Sequence, residues 1–300
     1  MKKKINHLDL FSGIGGFHLG FEKAGYKVNS FFSEIDKHAI AVYKNQFKNS
    51  TYVGSVTDLR GEDLPSIDLI TFGSPCQDFS LSGGRKGMGG ERSSLILEAI
   101  RLIRECRPRV FVWENVKGTF SSNNGEDFAS IIQAFAQLGG YTIEWKLLNT
   151  SWFGIPQNRE RIYLVGYSAT PKRDWRGVFP IGGGDFQNHG KRINIVGNRG
   201  TGGQQGFVYG DDGIAPCVNA HIFADPMKIK VNLPNGDYLL RRITPIECER
   251  LQGFPDNHTS IGDYDGDLEK VSNTQRYKMC GNAVTVNVVQ AVAEKLKGVL

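Results

Sequence analysis

The strongest constraint on this 300-residue chain is an alternation of strand-like and helix-like segments over its first 167 residues. Short apolar runs over 6–11, 27–32, 67–72, 109–113, 141–148 and 161–167 have the length and composition of buried strands. Between them apolar residues return at helical spacing: Ala39, Ile40, Val42 and Tyr43 in 36–47, Leu95, Ile96, Ala99, Leu102 and Ile103 in 93–105, and a further stripe in 127–138. Such succession predicts an α/β, doubly wound, Rossmann-like sheet with ligands at the carboxyl ends of its strands. From about Lys172 to Leu240 the pattern lapses into glycine- and asparagine-rich sequence, and helical spacing returns over 245–252 and 284–296. The expected organisation is a sheet domain over 1–170, completed by 272–300, and a smaller, loop-rich domain over 171–271.

Charge and cysteine usage narrow the function classes. Lys+Arg number 36 against 31 Asp+Glu, a net +5 that is compatible with nucleic acid without establishing it. No apolar stretch reaches the roughly 18 residues of a membrane span. The basic start is followed by Asn6, His7 and Asp9, which interrupt any signal-peptide core. Cysteines at 76, 106, 217, 248 and 280 are odd in number and form no C-x-x-C pair, so neither a disulfide framework nor a metal site is indicated. A cytoplasmic protein is expected.

The chemistry gathers at the strand ends. Phe11-Ser12-Gly13-Ile14-Gly15-Gly16 follows the first strand and opens a helix. Its bare backbone either meets a ligand at the helix N-terminus or makes a turn that needs positive φ. Glu34, 21 residues after Gly13, ends the second strand, where a carboxylate accepts hydrogen bonds from ribose hydroxyls. An adenosine-containing cofactor fits; the glycine spacing is not G-x-G-x-x-G and no G-K-[ST] follows, so neither NAD nor ATP is favoured. Cys76, in Gly73-Ser74-Pro75-Cys76-Gln77, is either a nucleophile at the ligand face or a small buried hydrophobe, and its polar flanks favour the first. Residues 81–92 carry five glycines among Arg85, Lys86 and Arg92, as a basic loop closing over a phosphate backbone would. Glu114 ends the fourth strand at the same edge, as an acid facing the thiol or as a plain strand-end carboxylate. Arg159 and Arg161, two residues apart, point the same way, forming a paired cation for a thiolate or carbonyl oxygen, or a solvated strand start.

Taken in order, Asp9-Leu10-Phe11-Ser12-Gly13-Ile14-Gly15-Gly16-Phe17, Ser33-Glu34-Ile35-Asp36, Gly73-Ser74-Pro75-Cys76-Gln77, Glu114-Asn115-Val116, Gln157-Asn158-Arg159-Glu160-Arg161, Arg242-Ile243-Thr244-Pro245-Ile246-Glu247-Cys248 and Gly281-Asn282-Ala283-Val284 span nearly the whole chain. In this set and spacing the sequence resembles the cytosine-5 DNA methyltransferases, in particular the compact bacterial and phage restriction-modification type.

The resemblance implies S-adenosylmethionine as methyl donor, S-adenosylhomocysteine as product, no metal, and a monomer that flips cytosine out of double-stranded DNA. Cys76 would add to carbon 6 of the base, Glu114 would donate a proton to ring nitrogen 3, and Arg159 and Arg161 would orient the site and favour the thiolate. Phe11, Ser12, Gly13, Gly15, Glu34, Gly73, Pro75, Leu95, Asn282 and Val284 would line the cofactor pocket. Two departures stand out. Where the family often has Gly-Asp, this chain has Gly54-Ser55-Val56-Thr57-Asp58, so Ser55 or Asp58, flanking Val56, must meet the adenine. Ile35 replaces a frequent aromatic and packs without stacking. On the DNA side the expected contacts are Ser82, Arg85, Lys86, Arg199 and Gln204, with Gln204 of Gly202-Gly203-Gln204 entering the space the base vacates. Recognition would lie in about 173–240, serving restriction-modification or phage self-protection. Two alternatives are an RNA (tRNA) cytosine-5 methyltransferase, disfavoured by the Gly73–Cys76 motif and separate recognition segment, and a non-enzymatic DNA-binding relative, disfavoured by retention of Cys76, Glu114 and both arginines.

Overall fold

The computed structural model describes residues 3–74, 95–168, 175–181, 193–198, 207–210, 213–219 and 227–300. Among them, β1 (Lys4–Leu10), β2 (Lys27–Ser33), β3 (Thr51–Tyr52), β4 (Leu69–Phe72), β5 (Val110–Val116), β6 (Thr142–Asn149) and β7 (Glu160–Tyr167) build one sheet in the order β3-β2-β1-β4-β5-β7-β6. The strands from β3 to β5 in that order run parallel, and β7 is antiparallel to both neighbours. This reversal brings the start of β7 to the carboxyl end of β5, with Val116 opposite Arg161 and Glu114 opposite Tyr163.

The sheet is buried on both faces because its strands alternate between two cores. Ile5, Leu69, Val110, Val112 and Val165 face helices α1 (Gly16–Lys23) and α7 (Val286–Lys295). Leu8, Ile70, Phe111, Trp113 and Leu164 face α3 (Leu95–Cys106) and α4 (Glu126–Ala136). The C-terminal helix reaches α1 closely: a Cβ at Gly20 would stand 2.4 Å from Val289 Cγ1. Helix α2 (Lys37–Gln46) starts at Asp36, whose carboxylate accepts from the backbone N–H of His38 at 2.9 Å.

The stretch expected to be loop-rich contains a second sheet. Strands β8 (Ile195–Asn198), β9 (Phe207–Gly210), β10 (Lys228–Asn232) and β11 (Tyr238–Arg242) lie in the order β11-β10-β9-β8. Every β11 residue but the partly buried Arg241 is exposed, so the inside-outside alternation that betrays a strand is missing. Helix α5 (Pro245–Leu251) opens with a capping box between Thr244 and Glu247. A hairpin of β12 (Ile261–Tyr264) and β13 (Asp267–Lys270), inside the 171–271 division, packs on α2 of the sheet domain, with the Tyr264 hydroxyl 2.6 Å from His38 Nδ1 and Lys44 2.7 Å from Asp265. Helix α6 (Asn273–Asn282) has no clear signal in the sequence, its apolar residues being few between Asn273 and Lys278.

Candidate active site

The site occupies the carboxyl edge of the sheet. At its β1–β2 end the glycine turn is held by Glu34, whose Oε2 accepts from the Gly13 N–H at 2.9 Å and whose Oε1 accepts from the N–H groups of Ile35 and Asp36 at 2.8 and 3.0 Å. These bonds leave a lone pair of Oε2 for a ligand hydroxyl. Gly15, at φ +81°, is required sterically, since a Cβ there would lie 2.3 Å from Phe47 Cε2. At Gly13, φ +52°, a Cβ would meet nothing within 4 Å, so the turn opens onto free space. Phe11 also adopts a left-handed φ of 51°. Ser12 Oγ is buried and has no hydrogen-bond partner among the described residues. An orphaned hydroxyl, open space over a glycine and a carboxylate at a strand end fit the polar ends of an adenosyl amino acid.

The remaining expected cofactor residues surround this end in different ways. Ile35 is 79% exposed. Ser55 hydrogen-bonds Thr57 at 2.9 Å, and Thr57 in turn reaches the exposed Asp58 carboxylate. Val56 is buried in the core, and its carbonyl accepts from Arg101. Leu95 opens α3, Asn282 is exposed at the end of α6, and Val284 packs where a Cβ on Gly16 would clash. Beneath the turn, Asp9 is fully buried and accepts from Thr71 Oγ1 at 2.8 Å, while His7 Nε2 lies 2.6 Å from the same hydroxyl. Burial raises the Asp9 pKa well above its ordinary value and lowers that of His7, favouring the neutral form of each.

At the β5–β7 end, Glu114 is buried, and Arg161 Nε stands 3.1 Å from its Oε1 as an ion pair. That oxygen has no hydrogen-bond partner among the described residues. Burial raises the Glu114 pKa, and Arg161 and Arg159 counter this only in part. Gly73 gives the carboxylate room, a Cβ there standing 3.2 Å from Oε2. The chain then enters the Cys76 motif from a fixed point, because Ser74 Oγ accepts from Trp113 Nε1 at 3.1 Å and its carbonyl from Asn115 Nδ2 at 3.1 Å.

Arg159 and Arg161 do share one side, but their surroundings differ. Arg159 is 3% exposed and donates to the carbonyls of Val218 at 2.6 Å and Ala283 at 2.8 Å, with Gly281 at 3.4 Å. It thereby joins the edge of β7, the segment 213–219 and the end of α6. Arg161 is the one turned to Glu114. Pro75, Cys76, Ser82, Arg85, Lys86, Arg199 and Gln204 lie outside the described residues. Three groups missed in the sequence join the site: Ser74, Asn115 as its anchor, and Cys217, whose sulfur lies 3.4 Å from Arg159 Nη1. Ser74 and Asn115 left a signal, lying inside the Gly73-Ser74-Pro75-Cys76-Gln77 and Glu114-Asn115-Val116 motifs, whereas Cys217 left none.

The profile of the C-5 cytosine-specific DNA methylase family matches residues 5–200 and 187–298. The chain belongs to this family. As a C-5 cytosine-specific DNA methylase it is 35% identical to the Type II methyltransferase M.NlaX of Neisseria lactamica over 98% of its own length and 96% of the relative's. It is 32% identical to M.HhaI of Haemophilus parahaemolyticus over 96% and 93% of the two chains. Its fold matches the crystal structure of S. pombe Dnmt2 with a TM-score of 0.72 at 20% identity, over 98% of both chains. The methylase is thus an enzyme, a DNA (cytosine-5-)-methyltransferase on a Rossmann-like sheet, and its family uses S-adenosylmethionine. No helix among the described residues is long and apolar enough to cross a membrane.

Proposed function

We propose that the methylase transfers a methyl group to carbon 5 of a flipped cytosine at a fixed short site in duplex DNA, through a covalent adduct on Cys76. The observation that carries this reading is Glu114: a buried carboxyl with a raised pKa, ion-paired with Arg161 at the carboxyl edge, whose Oε1 has no hydrogen-bond partner among the described residues. Such a group can keep a proton and donate it to a ring nitrogen.

Carbon 5 of cytosine is a weak nucleophile. Cys76 thiolate forms a bond to carbon 6, the 5,6 π electrons move toward N3, and N3 takes the Glu114 proton. The ring becomes an enamine and carbon 5 a nucleophile. S-adenosylmethionine supplies an electrophilic methyl whose leaving group is a neutral thioether. A base or water then removes the carbon 5 proton, the S–C6 bond breaks to regenerate thiolate, and N3 returns its proton to Glu114. Arg161 holds Glu114 in place, and both guanidinium groups favour the negative sulfur.

For the cofactor, Glu34 would accept from a ribose hydroxyl, Ser12 and the Gly13 turn would meet the amino-acid end, and Ile35, Ser55 and Asp58 would border the adenine. Gln204, Ser82, Arg85, Lys86 and Arg199 would meet DNA, with recognition in 171–271. The relatives' Type II names support a modification role in restriction-modification, by a cytoplasmic monomer.

The test incubates purified protein with methyl-labelled S-adenosylmethionine and either unmethylated plasmid or total tRNA, beside Cys76→Ala, with base-resolution sequencing of the product. Label at cytosine carbon 5 of DNA at one short sequence, lost in the variant, is expected. Label confined to tRNA, or undiminished in Cys76→Ala, would overturn the reading.

A further inference from the structure

The small domain contributes a side chain to the catalytic edge. Segment 213–219 is stitched to the approach to β7: Ala215 N donates to Pro156 O at 2.7 Å, Asn158 N to Ala215 O at 2.8 Å, and Val218 N to Gln157 Oε1 at 3.0 Å. Gln157 is itself fully buried and donates to Leu251 O. Cys217 sits between two of these anchors, so its backbone is fixed on both sides. Its sulfur lies 3.4 Å from Arg159 Nη1 and 3.8 Å from Arg161 Nη2, between two guanidinium groups of like charge.

Each nitrogen of Arg161 has one partner among the described residues. Nε faces Glu114 at 3.1 Å, Nη1 donates to Glu160 O at 2.8 Å, and Nη2 has the Cys217 sulfur. A thiol sulfur is a polarisable, weak acceptor, and here one sulfur is within reach of both guanidinium groups.

We propose that Cys217 is a positioning residue for methyl transfer, holding Arg161 against Glu114 through its sulfur and so tying the small domain to the catalytic acid. The proposal rests on the reading that Glu114 donates a proton to the base. It requires an acceptor at position 217: serine supplies one and alanine does not.

The test compares full-length wild type, Cys217→Ala and Cys217→Ser for kcat, the KM of S-adenosylmethionine, and the pH profile of kcat on unmethylated duplex plasmid. Cys217→Ala is expected to lower kcat roughly tenfold, a part of the roughly 10²- to 10⁴-fold that a well-placed general acid contributes, with the cofactor KM unchanged. Glu114 faces Arg161, Arg159 and Tyr163, and Arg161 is the larger of the two influences that lower its pKa. With Arg161 loosened, the falling alkaline limb moves to higher pH. Cys217→Ser is expected to stay within about twofold of wild type, since a hydroxyl also accepts from the fork. If Cys217→Ala melts well below wild type, the 15N resonance of Arg161 Nε–H decides, moving in Cys217→Ala and not in Cys217→Ser. Equal kcat and profile in wild type and Cys217→Ala, equal losses in both variants, or an unmoved Arg161 resonance would overturn the proposal. A wild type that methylates no DNA would instead overturn the reading beneath it.

Discussion

Arg161 Nε stands 3.1 Å from Glu114 Oε1 across the antiparallel seam of β5 and β7, 47 residues apart in the chain, and the contact is an ion pair that leaves this oxygen free of any hydrogen-bond donor among the described residues. The pair fixes the carboxyl at the carboxyl edge of the sheet, where the proposed mechanism has it meet the base.

Glu114→Gln removes the transferable proton while keeping the shape. A loss of about 10²- to 10⁴-fold in kcat is expected, the usual contribution of a general acid, with folding intact by circular dichroism. The same residue gives a stability signature. Its folded pKa is raised above 4.5, so the folded state holds the proton more tightly than the unfolded one, and stability falls as pH rises from the unfolded value through the folded one. Urea titrations across that window are expected to show this slope in wild type and a shallower one in Glu114→Gln.

Arg159→Met tests the junction of three segments. The carbonyls of Gly281 and Ala283 lose the guanidinium, and that of Val218 keeps only the weak Cys217 thiol donor at 3.5 Å; each buried carbonyl left unsatisfied costs about 1–3 kcal/mol. A total near 3 kcal/mol or more translates to a fall in Tm of roughly 5–10 °C, read by calorimetry. An unchanged Tm would contradict the linking role.

The glycine turn separates a structural glycine from a ligand-facing one. Gly15→Ala combines a left-handed backbone, about 1–2 kcal/mol, with a clash against Phe47 that adds about 1–3 kcal/mol. Gly13→Ala meets no neighbour, so only the backbone cost applies, but its methyl enters the open space over the turn. The first is expected to lower Tm more, and the second to raise the KM of S-adenosylmethionine with the smaller loss of stability.

Glu34→Ala removes an acceptor and the tether of Gly13. Loss of about 1.4 kcal/mol of cofactor binding corresponds to a tenfold weaker Kd, and at least that is expected by calorimetric titration. DNA binding without cofactor is expected to stay unchanged.

Much of the sheet domain is legible in the sequence, because buried parallel strands and amphipathic helices carry local patterns. The strand expected over 6–11 is Lys4–Leu10, and the helix expected over 36–47 is Lys37–Gln46 behind its Asp36 cap. The exposed β11 is not legible, since a strand with most of its side chains in solvent has no alternation to show.

The sequence by itself determined the elements whose chemistry is local: a glycine turn between strand and helix, a carboxylate closing the next strand, an acid at the end of β5 and two arginines opening β7. Only the tertiary structure decided which arginine meets the acid and which becomes a buried link, because both share one side of the strand and differ only in what packs there. It also brought Cys217 across 56 residues to Arg161. A side chain's neighbours depend on how distant segments pack, and spacing along the chain carries no record of that.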